Sequence, residues 1–140
     1  MIYEQARKLF RAHYGCDHTV AALAPGRVEV LGNHTDYNEG FVLSAAINYG
    51  TCFLAAPSRD AQCRVVAGDL MQEVVVDLLN PAAVATDTWA NYVIGVLAEL
   101  QELGETTSGF NALFLGNIPL GAGLSSSAAL EMSAGLALAK

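Results

Sequence analysis

The chain has 140 residues, of which 53% are hydrophobic and only 15% charged; that allows one domain with a real core and excludes a disordered or highly solvated chain. Its 14 carboxylates against 7 Lys and Arg argue against nucleic acid as the main partner. A phosphate ligand would have to be held by backbone N–H groups, a metal or one placed arginine, not by a basic patch.

From the N-terminus, MIYEQARKLFRAHYG mixes charged and apolar residues and lacks a signal-peptide apolar block. Ile2, Ala6, Leu9, Phe10 and His13 stand at helical spacing, and Gly15 is placed to end that helix. HTVAALA and RVEVL read as two strands separated by a break at Pro25-Gly26. The polar stretch GNHTDYNEG follows as a loop. FVLSAAINYGTCFLAAP then reads as a long strand, SRDAQ as a turn, and CRVVAGD and QEVVVDLL as two further strands. Asp87 or Thr88 can cap a helix through WANYVIGVLAELQEL, with Trp89, Tyr92, Val93, Val96, Leu97 and Leu100 as its apolar face and Gly104 as its end. GFNALFLG reads as a strand, IPLGAGL as a loop and SSSAALEMSAGLALAK as the start of a helix. Strands that follow one another with few helices between them predict an α+β fold and not a doubly wound one. The last helix reaches Lys140 without a C-cap, a glycine stop or a polar tail, so the chain is expected to end inside its fold. Cys16, Cys52 and Cys63 form no C-x-x-C pair and are expected to be buried, reduced thiols. No run approaches the roughly 18–20 apolar residues of a membrane span, and a soluble cytoplasmic protein is expected.

Two loops carry the chemistry. In GNIPLGAGLSSSAALEMS, Gly121 and Gly123 permit positive φ and close backbone approach. Ser125, Ser126 and Ser127 open a helix, where free N–H groups and the helix dipole favour an anion. Their hydroxyls can reach a phosphate-bound Mg²⁺. Together with Ala122 and Leu124 they make a candidate phosphate cradle that needs no lysine. It is not a Walker A loop, because no Gly-Lys-Ser/Thr follows, and Ser126 occupies the third glycine position of G-x-G-x-x-G. The plain alternative is a single serine cap after a flexible turn, but one cap does not use three serines and two glycines.

In the other loop, Asn33, His34 and Asp36 supply the mixed donors and acceptors that sugar hydroxyls require. Asn38, Glu39 and Gly40 are ordinary turn chemistry. Arg27, following Pro25-Gly26 at the mouth of a strand, either steadies a transferring phosphoryl group or catalytic carboxylate or makes a salt bridge on the sheet rim.

In order and spacing, PGRVEVLGNHTDYNEGFVL and PLGAGLSSSAALE resemble the galactokinase family, whose superfamily also includes homoserine, mevalonate and phosphomevalonate kinases. The family motifs read P-G-R-V-N-L-I-G-E-H-T-D-Y-N-x-G and P-x-G-x-G-L-S-S-S-A, and WANYV, Trp89 to Val93, is similar to the family sequence between them. The resemblance implies that residues 1–140 form an N-terminal sugar- and ATP-binding domain, with the C-terminal domain absent. Its fold would be that of the second domain of ribosomal protein S5, an α+β arrangement with a mixed sheet packed on helices. The activity implied is ATP- and Mg²⁺-dependent phosphorylation of the anomeric hydroxyl of galactose, giving galactose 1-phosphate.

By the same resemblance, Asn33, His34, Thr35 and Asp36 lie along the sugar, with His34 and Asp36 on its hydroxyls. Arg27 stabilises charge beside the reaction centre. Gly121, Ala122, Gly123, Leu124, Ser125, Ser126 and Ser127 hold the ATP phosphates, and Ser127, or Ser126 beside it, meets Mg²⁺. The family's catalytic aspartate and a second Mg²⁺ ligand lie downstream of the Gly-Ser loop. The isolated chain is therefore expected to be inactive and to pair with the C-terminal domain of the same protein or with itself.

The chain departs from the family at three positions. Asn33 replaces a glutamate that accepts from the sugar's primary hydroxyl, which opens the site to galacturonate or a related sugar. Glu29 replaces an asparagine and Ser44 a proline; Glu29 reads as strand-level variation. A galactose- and ATP-binding sensor is the non-catalytic alternative, and the intact GLSSSAA run favours the kinase. Homoserine and mevalonate do not account for HTDY.

Overall fold

Helix α1, Ile2–Tyr14, ends as its sequence predicts: Gly15 adopts φ 69° and its N–H donates to the Arg11 carbonyl. The computed structural model describes residues 1–32, 34–60, 62–78, 88–105, 108–119 and 121–139, with Asp36 and Thr88 described by their backbone alone. The remaining elements are β1 (Val20–Leu31), a 3₁₀ turn (Asp36–Asn38), β2 (Leu43–Pro57), β3 (Cys63–Ala67), β4 (Gln72–Val76), α2 (Thr88–Glu102), β5 (Phe110–Gly116) and α3 (Ser126–Leu138). The strands form one sheet in the order β1-β2-β5-β3-β4. Among the described strands, only β3 and β5 run parallel; the other neighbours are antiparallel. This is the mixed sheet of an α+β fold.

The break expected at Pro25-Gly26 is not a strand end. β1 runs unbroken through it, and the irregularity is a register shift: Pro25 pairs with Gly50, while Arg27 pairs with Ala46. Because β1 is an edge strand, the missing Pro25 N–H costs no ladder bond, and the extra residues of β2 bend the pair instead of ending it.

Helix α1 covers one sheet face, where Ala6 and Phe10 meet Cys52, Leu54, Ala56, Val66 and Leu113. Helices α2 and α3 cover the other, joining Val93, Leu97, Leu130 and Ala134 to Phe53, Val65, Ala112 and Phe114. The buried ridge of α2 is Ala90, Val93, Ile94 and Leu97, and Tyr92 is exposed. This differs from the expected face, because Ala90 and Ile94 take the core positions and turn Tyr92 toward a cavity described below. Cys52 and Cys63 are buried, and burial pushes both thiols up, as suits inert core residues. Cys16 is exposed, contrary to expectation, since it follows the α1 cap outside the packed layers. The cap expected at Asp87 or Thr88 falls outside what is described. No described helix is long and apolar enough to cross a membrane.

Candidate functional site

The Gly-Ser loop is anchored at both ends. At its entry, Asn117 grips β2: its N–H donates to the Gly50 carbonyl at 3.1 Å, and its Oδ1 accepts from the Gly50 N–H at 2.7 Å. At its exit, the Leu124 carbonyl accepts from the Arg27 N–H at 3.1 Å. The contact needs Gly26, where a Cβ would lie 2.8 Å from the Leu124 oxygen. The β1 irregularity is thus the seat on which the loop docks, and it joins two motifs far apart in sequence.

Between these anchors, Gly121, Gly123 and Ser125 take φ of 70°, 68° and 61°, so every second residue is left-handed. Alternating backbone of this kind turns successive N–H groups toward one concavity and makes an anion nest. Ser125 occupies the N-cap position of α3, yet its side chain makes no capping bond. A left-handed serine is strained, and such strain concentrates at ligand sites. The plain capping role therefore fails for Ser125. The loop lines a cavity of about 310 Å³ bounded by Pro119, Gly121, Gly123 and Ser125 to Ser127.

Ser126 and Ser127 also line a second cavity, of about 370 Å³, with Thr51, Asp69, Trp89, Tyr92, Phe114 and Leu130. Trp89 is fixed there by its contact with Phe114, ring centroids 5.4 Å apart, and by its Nε1–H, which donates to Gln72 Oε1 at 3.1 Å. Sequence reasoning assigned Trp89 and Tyr92 to a core face and missed this cavity. The signal available was WANYV itself, which places two aromatic rings on one turn of a helix.

At the other end of β1, the polar loop is held by its own backbone. The Thr35 carbonyl accepts from the N–H groups of Asn38 and Gly40. The Thr35 hydroxyl lies 3.0 Å from the Gly32 and Phe41 carbonyls, and Asn38 Nδ2 donates to the His34 carbonyl at 2.8 Å. Thr35 and Asn38 therefore shape the loop. The His34 ring is exposed and meets the Tyr37 hydroxyl through Nδ1 at 2.9 Å, which fixes the ring and leaves Nε2 for a ligand. Tyr37, in the same loop, is the ring's orienting partner. Asn33 lies outside the described residues, as does the Asp36 side chain. Among the described residues, no hydrogen bond or ion pair joins residues 34–40 to 121–127.

Arg27 stands on β1 beside the seat of the Gly-Ser loop. Its side chain is half exposed and pairs with Glu29 at 3.6 Å, and Arg27 shares an apolar groove with Ser125 and Ala129. No group of three or more His, Cys, Asp or Glu able to hold a metal occurs among the described residues. A Mg²⁺ ion that travels on nucleotide phosphates needs only one or two protein oxygens. The half-buried hydroxyls of Ser126 and Ser127, which line both cavities, fit that need.

Residues 8–57 match the galactokinase galactose-binding signature, and residues 91–140 match the N-terminal domain of GHMP kinases. The chain is similar to a galactokinase of Lactococcus lactis crystallised with galactose, at 33% identity and a TM-score of 0.83, over 96% of this chain and 36% of that one. It is also similar to a mevalonate kinase of Methanococcus jannaschii, at 20% identity and a TM-score of 0.69, over 84% of this chain and 38% of that one; this second likeness bears on the fold alone. The chain spans little more than a third of the length of these proteins.

Proposed function

Because the chain belongs to the GHMP kinases and carries the galactose-binding signature of galactokinases, we propose that it is the sugar- and nucleotide-binding part of a kinase that phosphorylates the anomeric hydroxyl of galactose from ATP. The observation that carries the proposal is the docking of the alternating-φ Gly-Ser loop on β1, with the Leu124 carbonyl on the Arg27 N–H. It supports a common surface for the phosphates and for Arg27, a cation suited to phosphoryl transfer.

Phosphoryl transfer is largely positioning and charge stabilisation. The N–H groups of Gly121 to Ser127 bind the phosphates, and the nest and the α3 N-terminus supply positive potential without lysine. Trp89 and Tyr92 border the adjoining cavity and hold the purine by stacking. Mg²⁺, bound through Ser127 or Ser126, would neutralise phosphate charge. Arg27 steadies the charge that develops on the transferring group. Asn33, His34 and Asp36 bind the sugar hydroxyls, with His34 held by Tyr37; Thr35 builds the loop that carries them. The catalytic aspartate belongs to the rest of the enzyme, which acts in the cytoplasm and pairs with the exposed surface of this domain.

Calorimetric titration of the chain with Mg-ATP, galactose and galacturonate tests this reading. ATP and at least one of the two sugars should bind with 1:1 stoichiometry. Binding of neither nucleotide nor sugar at millimolar concentration would overturn the reading. Preference for galacturonate that reverses on Asn33→Glu would identify the acidic sugar as the substrate.

A further inference from the structure

Two residues that depart from the family pattern, Glu29 and Ser44, touch each other. They are direct partners across the β1–β2 pair, and the Ser44 hydroxyl donates to Glu29 Oε1 at 2.7 Å. The other carboxylate oxygen, Oε2, lies 3.6 Å from an Arg27 side-chain nitrogen. The exposures differ sharply: the Glu29 side chain is 12% exposed and that of Arg27 51%. A carboxylate so far withdrawn from water must be paired and hydrogen-bonded, so Glu29 is the fixed member and Arg27 the movable one. Glu29 is therefore more than variation along a strand.

We propose that Glu29, itself held by Ser44, is a positioning residue that keeps the Arg27 guanidinium beside the docked Gly-Ser loop. This rests on the kinase reading for its purpose, though not for its geometry. An arginine on an edge strand otherwise samples many rotamers, and its side chain carries about 2 kcal/mol of rotamer entropy. A largely covered anchor two residues along the same strand restricts that freedom before nucleotide arrives. The separation of 3.6 Å is longer than a tight charge-assisted bond, so the anchor holds the cation without saturating its donors. Free N–H groups remain for a phosphate.

Side-chain ¹⁵N–¹H spectra of the arginine-labelled chain test this, with the Arg27 Nε resonance assigned from Arg27→Lys. In the unaltered chain this resonance should stand apart from those of the exposed Arg7 and Arg11 and should shift on titration with Mg-ATP. Glu29→Gln, which keeps the size and removes the charge, should move it to the position of an exposed arginine and abolish the Mg-ATP shift. Ser44→Ala should do the same in part, and decides alone if Glu29→Gln does not fold. An Arg27 resonance that neither substitution moves overturns the proposal. If the unaltered chain binds no Mg-ATP yet Glu29→Gln still releases Arg27, the kinase reading fails and the positioning stands.

Discussion

At the residue scale, Ser125 makes the sharpest prediction. Its φ of 61° is strained for a serine, whereas glycine adopts the same conformation freely. Ser125→Gly should stabilise the chain by about 0.5–1 kcal/mol, once the greater freedom of an unfolded glycine is set against the relieved strain. Urea denaturation measures this. If Ser125 serves the phosphates, the same substitution should weaken Mg-ATP binding, so stability and affinity would move in opposite directions. Tyr37 offers a complementary case. Its side chain is 73% exposed, so Tyr37→Phe should leave stability within about 0.5 kcal/mol. Loss of the hydroxyl that holds His34 should nevertheless cost about 1 kcal/mol in sugar binding, roughly fivefold in Kd. His34 was legible in the sequence because a turn has no use for it. Tyr37 was not, because turn chemistry already accounted for its neighbours. The link between Glu29 and Ser44 was not legible for another reason: each looked like a separate substitution until the register made them partners.

At the element scale, the docking of the Gly-Ser loop on β1 depends on a missing side chain. In Gly26→Ala the added Cβ would meet the Leu124 carbonyl at 2.8 Å and the Ile118 and Ile47 side chains at 3.1 Å. Backbone must move, so a loss of about 1–3 kcal/mol is expected, with weaker Mg-ATP binding in calorimetry. The elements themselves were largely legible. Apolar spacing and Gly15 defined α1, and strand-like runs gave β2 to β5. The continuity of β1 was hidden because Pro25-Gly26 reads locally as a stop, and only its edge position lets the strand pass through.

The β2–β3 turn carries a pH signature of its own. Hydrogen bonds from Arg64, then from Ser58, hold the Asp60 carboxyl far below the ordinary carboxylate range. A lowered folded-state pKa means that stability is present in full above the unfolded value, near pH 4, and declines as the pH falls below it toward the folded value. Asp60→Asn should therefore flatten the stability profile below about pH 4. Denaturation of both proteins at neutral and acid pH checks this, and parallel profiles would show that the pair does not survive in solution.

At the scale of the whole molecule, both proposed ligand sites rest on one domain, while large apolar side chains remain uncovered. Leu23, Leu31, Phe41, Leu43, Met132 and Leu136 are all more than half exposed, and an apolar groove of about 970 Å³ runs between α2 and α3. Exposed apolar surface of this extent is characteristic of interaction sites. The chain spans 36% of a galactokinase, and the proposed function divides binding from turnover. In the proposed function, nucleotide and sugar recognition need only groups on β1, the polar loop, α2 and the Gly-Ser loop. Proton removal from the anomeric hydroxyl needs a carboxylate that, in the proposed mechanism, none of these supplies. The chain alone should therefore bind Mg-ATP and sugar in calorimetry and yield no sugar phosphate in a coupled kinase assay. Turnover by the purified chain would move the base inside these residues and make Asp36, in the sugar loop, the first to replace by Asn. Binding without turnover would instead make the exposed apolar surface the place where the rest of the catalytic machinery docks.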